Sequence, residues 1–291
     1  MKKLLVIADN VDEEQFALNK AISLAKLTVA QVHVVAFCYE SLSFSDDQNE
    51  RDKVKGMIIS RAQQAWGNYF TKHQYGESVN YEVVWEKNID DWVKEKCKYM
   101  HYDLIVKSGN RSEAIFHTPT DWRLFRQSEV PVYSVSTNNK NDSLGKSILV
   151  ALDFMTKNKS KSALNEKLLE SAFQLSVQTN SRLYICSCIN IPVLLKDLEL
   201  IDVYNRVKTI QKKIEAKATL LFDKYDIPMD DLMIKEGVPW KIINYYAEKI
   251  NASCVVVGSM GRKGIAEKLI GNTAEKVIHH TKSDLLLVPN V

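Results

Sequence analysis

Short apolar runs alternate with longer amphipathic stretches along the whole chain. Leu4-Leu5-Val6-Ile7, Val32-His33-Val34-Val35-Ala36-Phe37, Leu104-Ile105-Val106 and Pro131-Val132-Tyr133-Ser134-Val135 are runs of the first kind. A brief, nearly continuous apolar run bounded by polar residues predicts a strand buried on both faces. Between the runs, apolar residues return every three or four positions. Ile58, Ala62, Ala65, Trp66 and Tyr69 do so, as do Val203, Val207, Ile210, Ile214, Ala218 and Leu221. That spacing marks one face of a helix. Alternating strand and helix predicts an α/β fold, a parallel sheet with helices on both faces.

The pattern occurs twice. Shifted by roughly 150 residues, the chain matches itself. Leu4–Asp9 falls on Ile148–Asp153, Val32–Phe37 on Arg182–Ser187, Asp103–Val106 on Ser253–Val256, and Pro131–Val135 on Asp284–Val288. The polar stretch Thr137–Ser143 has linker composition. It divides the chain into domains 1–140 and 141–291. Ligands of such sheets bind beyond the carboxyl ends of the strands, where the strand order reverses. Asp9 and Asp153, each ending a first strand, stand where that crevice opens.

Only the second copy adds a ligand signature. Gly258, Gly261, Gly264 and Gly271 follow the apolar run Cys254-Val255-Val256-Val257, in a chain with 10 glycines. Without a Cβ, backbone N–H groups can close on an anion and positive φ costs little. Asn272–Ile278 reads as the start of a helix, whose unpaired N–H groups suit a phosphate. Tight packing of strand against helix is the plainer reading of the same glycines, and a turn cap is the plainer reading of Asp153. Arg262 and Lys263 flank the loop as phosphate contacts or as solvated surface.

Composition narrows the classes. With 291 residues, 45% hydrophobic and 26% charged, the chain reads as a soluble globular protein. A net charge of +3 gives no case for nucleic acid. No apolar run approaches the roughly 20 residues of a membrane helix, and the run after Met1 is broken by Asp9, unlike a signal peptide. The five cysteines, Cys38, Cys97, Cys186, Cys188 and Cys254, are odd in number and lack CxxC spacing. They read as reduced thiols of a cytoplasmic protein. His279 and His280 have no carboxylate or cysteine at ligand spacing, so no metal site is expected there.

The chain resembles the universal stress protein family, in its tandem form and its E-type subgroup. The resemblance covers essentially all residues. It is carried by Gly258-Ser-Met-Gly261 followed after nine residues by Gly271-Asn272, by Glu236-Gly237-Val238-Pro239, and in the first copy by Val84-Trp85 and Phe116–Trp122. It implies a five-stranded parallel sheet in each domain. It also implies ATP, with magnesium as its companion ion, held by Asp153 on the base and ribose side and by Gly258, Met260, Gly261, Gly271, Asn272 and Thr273 on the phosphate side. Asn272 stands where the family pattern has Ser or Thr, and Thr273 offers a hydroxyl instead. In the first copy the pattern is lost. Ser108-Gly109-Asn110-Arg111 replaces the first two glycines and Thr118-Pro119 replaces Gly271-Asn272. Proline has no N–H for a phosphate, so the first domain is expected to bind no nucleotide. The resemblance further implies pairing through the last strands, Val132–Val135 and Leu285–Val288, within a chain or between copies.

Catalysis finds little in the sequence. There is no Gly-x4-Gly-Lys-Ser/Thr loop and no Gly-x-Gly-x-x-Gly with a ribose-binding acid. Patterns of adenylating and nucleotidyl-transferring α/β enzymes are missing, and no side chain stands out as a general base. At most, slow ATP hydrolysis by bound metal and water is expected. The expected function is a stress-response protein that binds ATP in its second domain, with the first domain structural or partner-binding. The alternative is an interaction module whose glycine loop is vestigial or holds another phosphorylated metabolite.

Overall fold

The innermost strands are built from side chains that solvent does not reach. Leu4, Leu5 and Val6 in the first copy, and Leu149 and Val150 in the second, have no exposed surface. A strand buried on both faces has no polar positions to alternate, which is why its sequence reads as an unbroken apolar run. A computed structural model describes residues 1–109, 119–137, 144–192, 194, 202–259 and 270–290. They divide into two units, Met1–Thr137 and Asn138–Val291.

In the first unit β1 (Lys3–Ile7), α1 (Phe16–Thr28), β2 (Gln31–Phe37), α2 (Gln48–His73), β3 (Val79–Val84), α3 (Ile89–Tyr99), β4 (Leu104–Gly109), α4 (Pro119–Gln127) and β5 (Val132–Ser136) follow one another. The strands lie side by side as β3-β2-β1-β4-β5, all parallel. In the second unit the elements are β6 (Ser147–Ala151), α5 (Lys159–Thr179), β7 (Arg182–Ile189), α6 (Val203–Phe222), β8 (Leu232–Glu236), α7 (Pro239–Lys249), β9 (Cys254–Ser259), α8 (Asn272–His280) and β10 (Asp284–Pro289). Their order, β8-β7-β6-β9-β10, repeats that of the first unit, again all parallel. Right-handed crossovers place the helices before and after the reversal on opposite faces.

Register fixes where the crevices fall. Val6 pairs with both Val34 and Val106, and Val150 pairs with both Ile185 and Val256. The chain therefore leaves β1 and β6 at the point where the strand order reverses, between β1 and β4 in one unit and between β6 and β9 in the other. Helix starts are set locally. Asp47 accepts from the Asn49 N–H before α2, Asn158 from Ser160 and Lys161 before α5, and Asp202 from Asn205 before α6. No helix among the described residues is long and apolar enough to cross a membrane.

Candidate functional site

In the first unit the strand ends at the reversal are bridged by side chains. Asp9 follows β1. One carboxylate oxygen accepts the Ser108 hydroxyl from the end of β4. The other accepts the Ala17 N–H, in the first turn of α1, at 3.2 Å. Ser108 is 4% exposed. Burial pushes the Asp9 carboxyl up to about 6, opposed by the Ala17 N–H and the Lys107 charge. The gap between adjacent strands at the reversal is thus bridged by a serine–aspartate hydrogen bond.

At the matching place in the second unit the aspartate is exposed. Asp153, after β6, is exposed. Its carboxylate accepts the Met155 N–H at 3.2 Å, a local turn that leaves the side chain on the solvent side. Its backbone is anchored by Asn165 of α5, whose Oδ1 accepts the Asp153 N–H at 3.1 Å and whose Nδ2 donates to the Asp153 carbonyl at 2.9 Å. The position of Ser108 is taken by Gly258. A Cβ built there would meet Leu164 Cδ2 at 2.5 Å. Leu164 belongs to the first turns of α5, a helix of 21 residues where α1 has 13. The longer helix packs a leucine over the glycine.

Gly271 differs in kind from Gly258. Among the described residues a Cβ on Gly271 would meet nothing within 4 Å, yet its φ is +106°. Backbone conformation, not crowding, requires glycine there. It precedes α8, whose start has no side-chain cap and whose first two residues, Asn272 and Thr273, are exposed. A helix start without a side-chain cap directs N–H groups and positive partial charge outward.

The amino end of α5 has the same polarity. Its first turn has no acidic residue, and Lys157, Lys159 and Lys161 surround it, all exposed. Cations at a helix N-terminus are unfavourable unless an anion faces them. Asn290 Nδ2 donates to Ser160 Oγ at 2.7 Å, and the Asn290 N–H donates to the Ser259 carbonyl at 3.2 Å. Those bonds tie this end of α5 to the ends of β9 and β10. Lys217 of α6 donates to the Phe154 carbonyl at 2.6 Å, holding the Asp153 turn from the other side.

Of the residues expected at the site, Asp153 and Gly258 sit at the carboxyl ends of neighbouring strands, and Gly271, Asn272 and Thr273 form the start of α8. Met260 and Gly261 lie outside the described residues, as do Arg262, Lys263 and Gly264. In the first copy Asn110, Arg111 and Phe116–Thr118 lie outside them too. Asn165, Leu164 and the Ser160–Asn290 pair were not singled out from sequence. Asn165 carries the one readable signal, a polar residue beside the apolar stripe Leu164, Leu168 and Ala172. His280 is explained locally, stacking on Trp240 at 4.5 Å and bonding the Lys276 carbonyl.

Comparison with known proteins agrees with this duplicated architecture. The universal stress protein family model matches residues 1–136 and again 145–289. Universal stress protein E of Escherichia coli strain K12 is 29% identical over 302 residues, covering 99% of this chain and 93% of that protein. The universal stress protein E homolog of Haemophilus influenzae is 28% identical over 304 residues, covering 98% and 96%. A putative universal stress protein from Pseudomonas aeruginosa superposes with a TM-score of 0.73 at 22% identity, over 99% of this chain and 93% of that one. One from Archaeoglobus fulgidus gives 0.68 at 18% identity, over 99% and 98%.

Proposed function

The chain belongs to the universal stress protein family, a stress-response family, as two copies of its domain in tandem, and we propose that it binds one adenine nucleotide, in its second unit alone. The observation that carries this reading is the contrast at matched positions. Asp9 is bonded to Ser108, whereas Asp153 stands exposed beside a glycine. A carboxylate accepts hydrogen bonds from an adenine amine or ribose hydroxyls and repels phosphate, so Asp153 takes the nucleoside end. The sequence pattern assigns Gly258, Met260 and Gly261 to the phosphates. Gly271, Asn272 and Thr273 present N–H groups and a hydroxyl to them. The uncapped start of α8 and the lysines around α5 fit a polyanion. A divalent cation bound with ATP would neutralise phosphate charge there. The first unit serves as a structural or partner-binding half.

One observation favours a second reading. Leu164 accounts for Gly258 by packing alone, so that glycine is equally at home in an interaction module that has no nucleotide. Mass spectrometry of small molecules released from the purified full-length protein separates the two. An adenine nucleotide near one equivalent per chain is expected. Protein that is free of nucleotide and takes up none when ATP is added would exclude the first reading.

A further inference from the structure

β7 carries Cys186 and Cys188 on one face, because residues two apart along a strand point the same way. Their sulfurs lie 4.0 Å apart. The first residue of α7 closes over that face, its Pro239 carbonyl 3.7 Å from Cys188 Sγ. Cys186 is 1% exposed and Cys188 is half-buried, so the pair is shielded at one end and reachable at the other. Nothing in the proposed nucleotide site uses either thiol.

The strand decides what the pair can become. Same-face Cβ atoms two residues apart are separated by about two residue rises, ~6.6 Å. A disulfide needs Cβ atoms about 3.5–4.5 Å apart and sulfurs at ~2.05 Å. Closing one would require the central part of β7 to buckle between β6 and β8, to which it is paired on both sides. An ion between the sulfurs asks far less. Taking the zinc–thiolate length of about 2.3 Å as a guide, two sulfurs on opposite sides of one ion stand ~4.6 Å apart, within reach of a small side-chain rotation.

We propose that Cys186 and Cys188 form a two-coordinate site for one soft, thiophilic ion, copper(I). Cys186 and Cys188 supply the two thiolate donors. Among the described residues no group of three or more His, Cys, Asp or Glu is placed to hold a metal. Zinc, which takes four ligands in structural sites, is therefore poorly served. Copper(I) is selected by soft thiolate donors, and two of them suffice for it. Binding is an exchange without electron transfer: one copper(I) ion and two S–H groups give a bis-thiolate complex of charge −1 and two released protons. Without the ion, the hydrogen bond from its neighbour and burial hold the Cys186 thiol well above its ordinary range.

The test is anaerobic competition for copper(I) between the full-length protein and bathocuproine disulfonate, followed by X-ray absorption at the copper edge. One copper per chain with two sulfur neighbours is expected. Cys186→Ser and Cys188→Ser should each weaken retention by on the order of a hundredfold or more, because one thiolate is left. Cys97→Ser should leave it unchanged. Cys188 is half-buried, so its variant keeps the test valid if the Cys186 variant fails to fold. Retention within about threefold of the parent in a folded Cys188→Ser protein would overturn the proposal. So would three or more donors at the copper. A Cys186–Cys188 disulfide formed by diamide in the folded, metal-free chain would overturn its geometric premise.

Discussion

In the first unit the aspartate after β1 turns inward onto Ser108 and the start of α1; in the second, the aspartate after β6 turns outward beside Gly258. The two crevices share strand order, register and a carboxylate at the same place in the fold. They differ in what fills the neighbouring strand end and in the length of the next helix. In the first unit a hydroxyl at the end of β4 gives the carboxylate an internal partner. In the second, that position has no side chain, and Asn165 secures the turn through the Asp153 backbone. The carboxylate remains mostly uncommitted. Duplication thus left one carboxylate bonded within its own unit and one exposed to solvent.

The sharpest way to break this contrast is to remove each aspartate in turn. Asp153→Ala should weaken adenine nucleotide binding about ten- to hundredfold, the loss expected for hydrogen bonds to a charged acceptor. Pyrophosphate binding should be equal or slightly tighter, because a like charge is gone. Asp9→Ala should change neither affinity. Equal ATP affinity in parent and Asp153→Ala, measured by titration calorimetry, would remove the nucleoside from the place assigned to it.

A second substitution separates packing from ligand at Gly258. Gly258→Ala forces Leu164 to move and should cost about 1–3 kcal/mol of stability, as overpacking does. Adding Leu164→Ala frees the space, so chemical denaturation of the double variant should show a smaller loss than the two single losses summed. If the losses simply add, the two residues do not press on each other.

Acidity sharpens the comparison from the other crevice. The unfolded Asp9 carboxyl titrates near 3.8 and the folded one at about 6. Between these values the native state holds a proton that the unfolded chain has released. The stabilisation is fully present below the lower value and is lost as pH rises through about 6. Asp9→Asn keeps an acceptor and removes the charge, so it should raise the melting temperature at pH 7 and flatten the fall between pH 4 and 7. With solvent screening the gain is on the order of 1 kcal/mol. A parent and variant with parallel pH profiles would mean that Asp9 is not buried and bonded as described.

The smallest effect lies at the matched helix ends. The residue after α1 is Val29, left-handed at φ 55° and 92% exposed, where α5 has Asn180 at φ 50°. A β-branched side chain is strained in that region, and asparagine or glycine is not. Val29→Gly should therefore stabilise by about 0.5–1 kcal/mol, read from thermal melting. No gain would show that the backbone there is relaxed.

Much of the fold was legible because central parallel strands cannot alternate. Leu4–Ile7 and Ile148–Val150 had to be apolar on both faces, and the repeat of that pattern exposed the duplication. The start of α8 was legible from Gly271 and the apolar spacing after it. The contrast between the crevices was only half legible. Loss of the glycines in the first copy was visible as letters. The Ser108–Asp9 bond was not, because it depends on β1 and β4 being neighbours across roughly 100 residues of chain. Gly258 read as a phosphate residue, yet its crowding by Leu164 of α5 is a tertiary fact. Asn165 looked like an ordinary helix residue until its side chain met the Asp153 backbone.

Titration of magnesium–ATP into the full-length protein tests the central claim most directly. An exposed aspartate in the second unit and a serine-bonded one in the first predict a stoichiometry of one nucleotide per chain, with that single site weakened by Asp153→Ala and unaffected by Asp9→Ala. Two equivalent sites per chain, or a single site lost on Asp9→Ala, would contradict it.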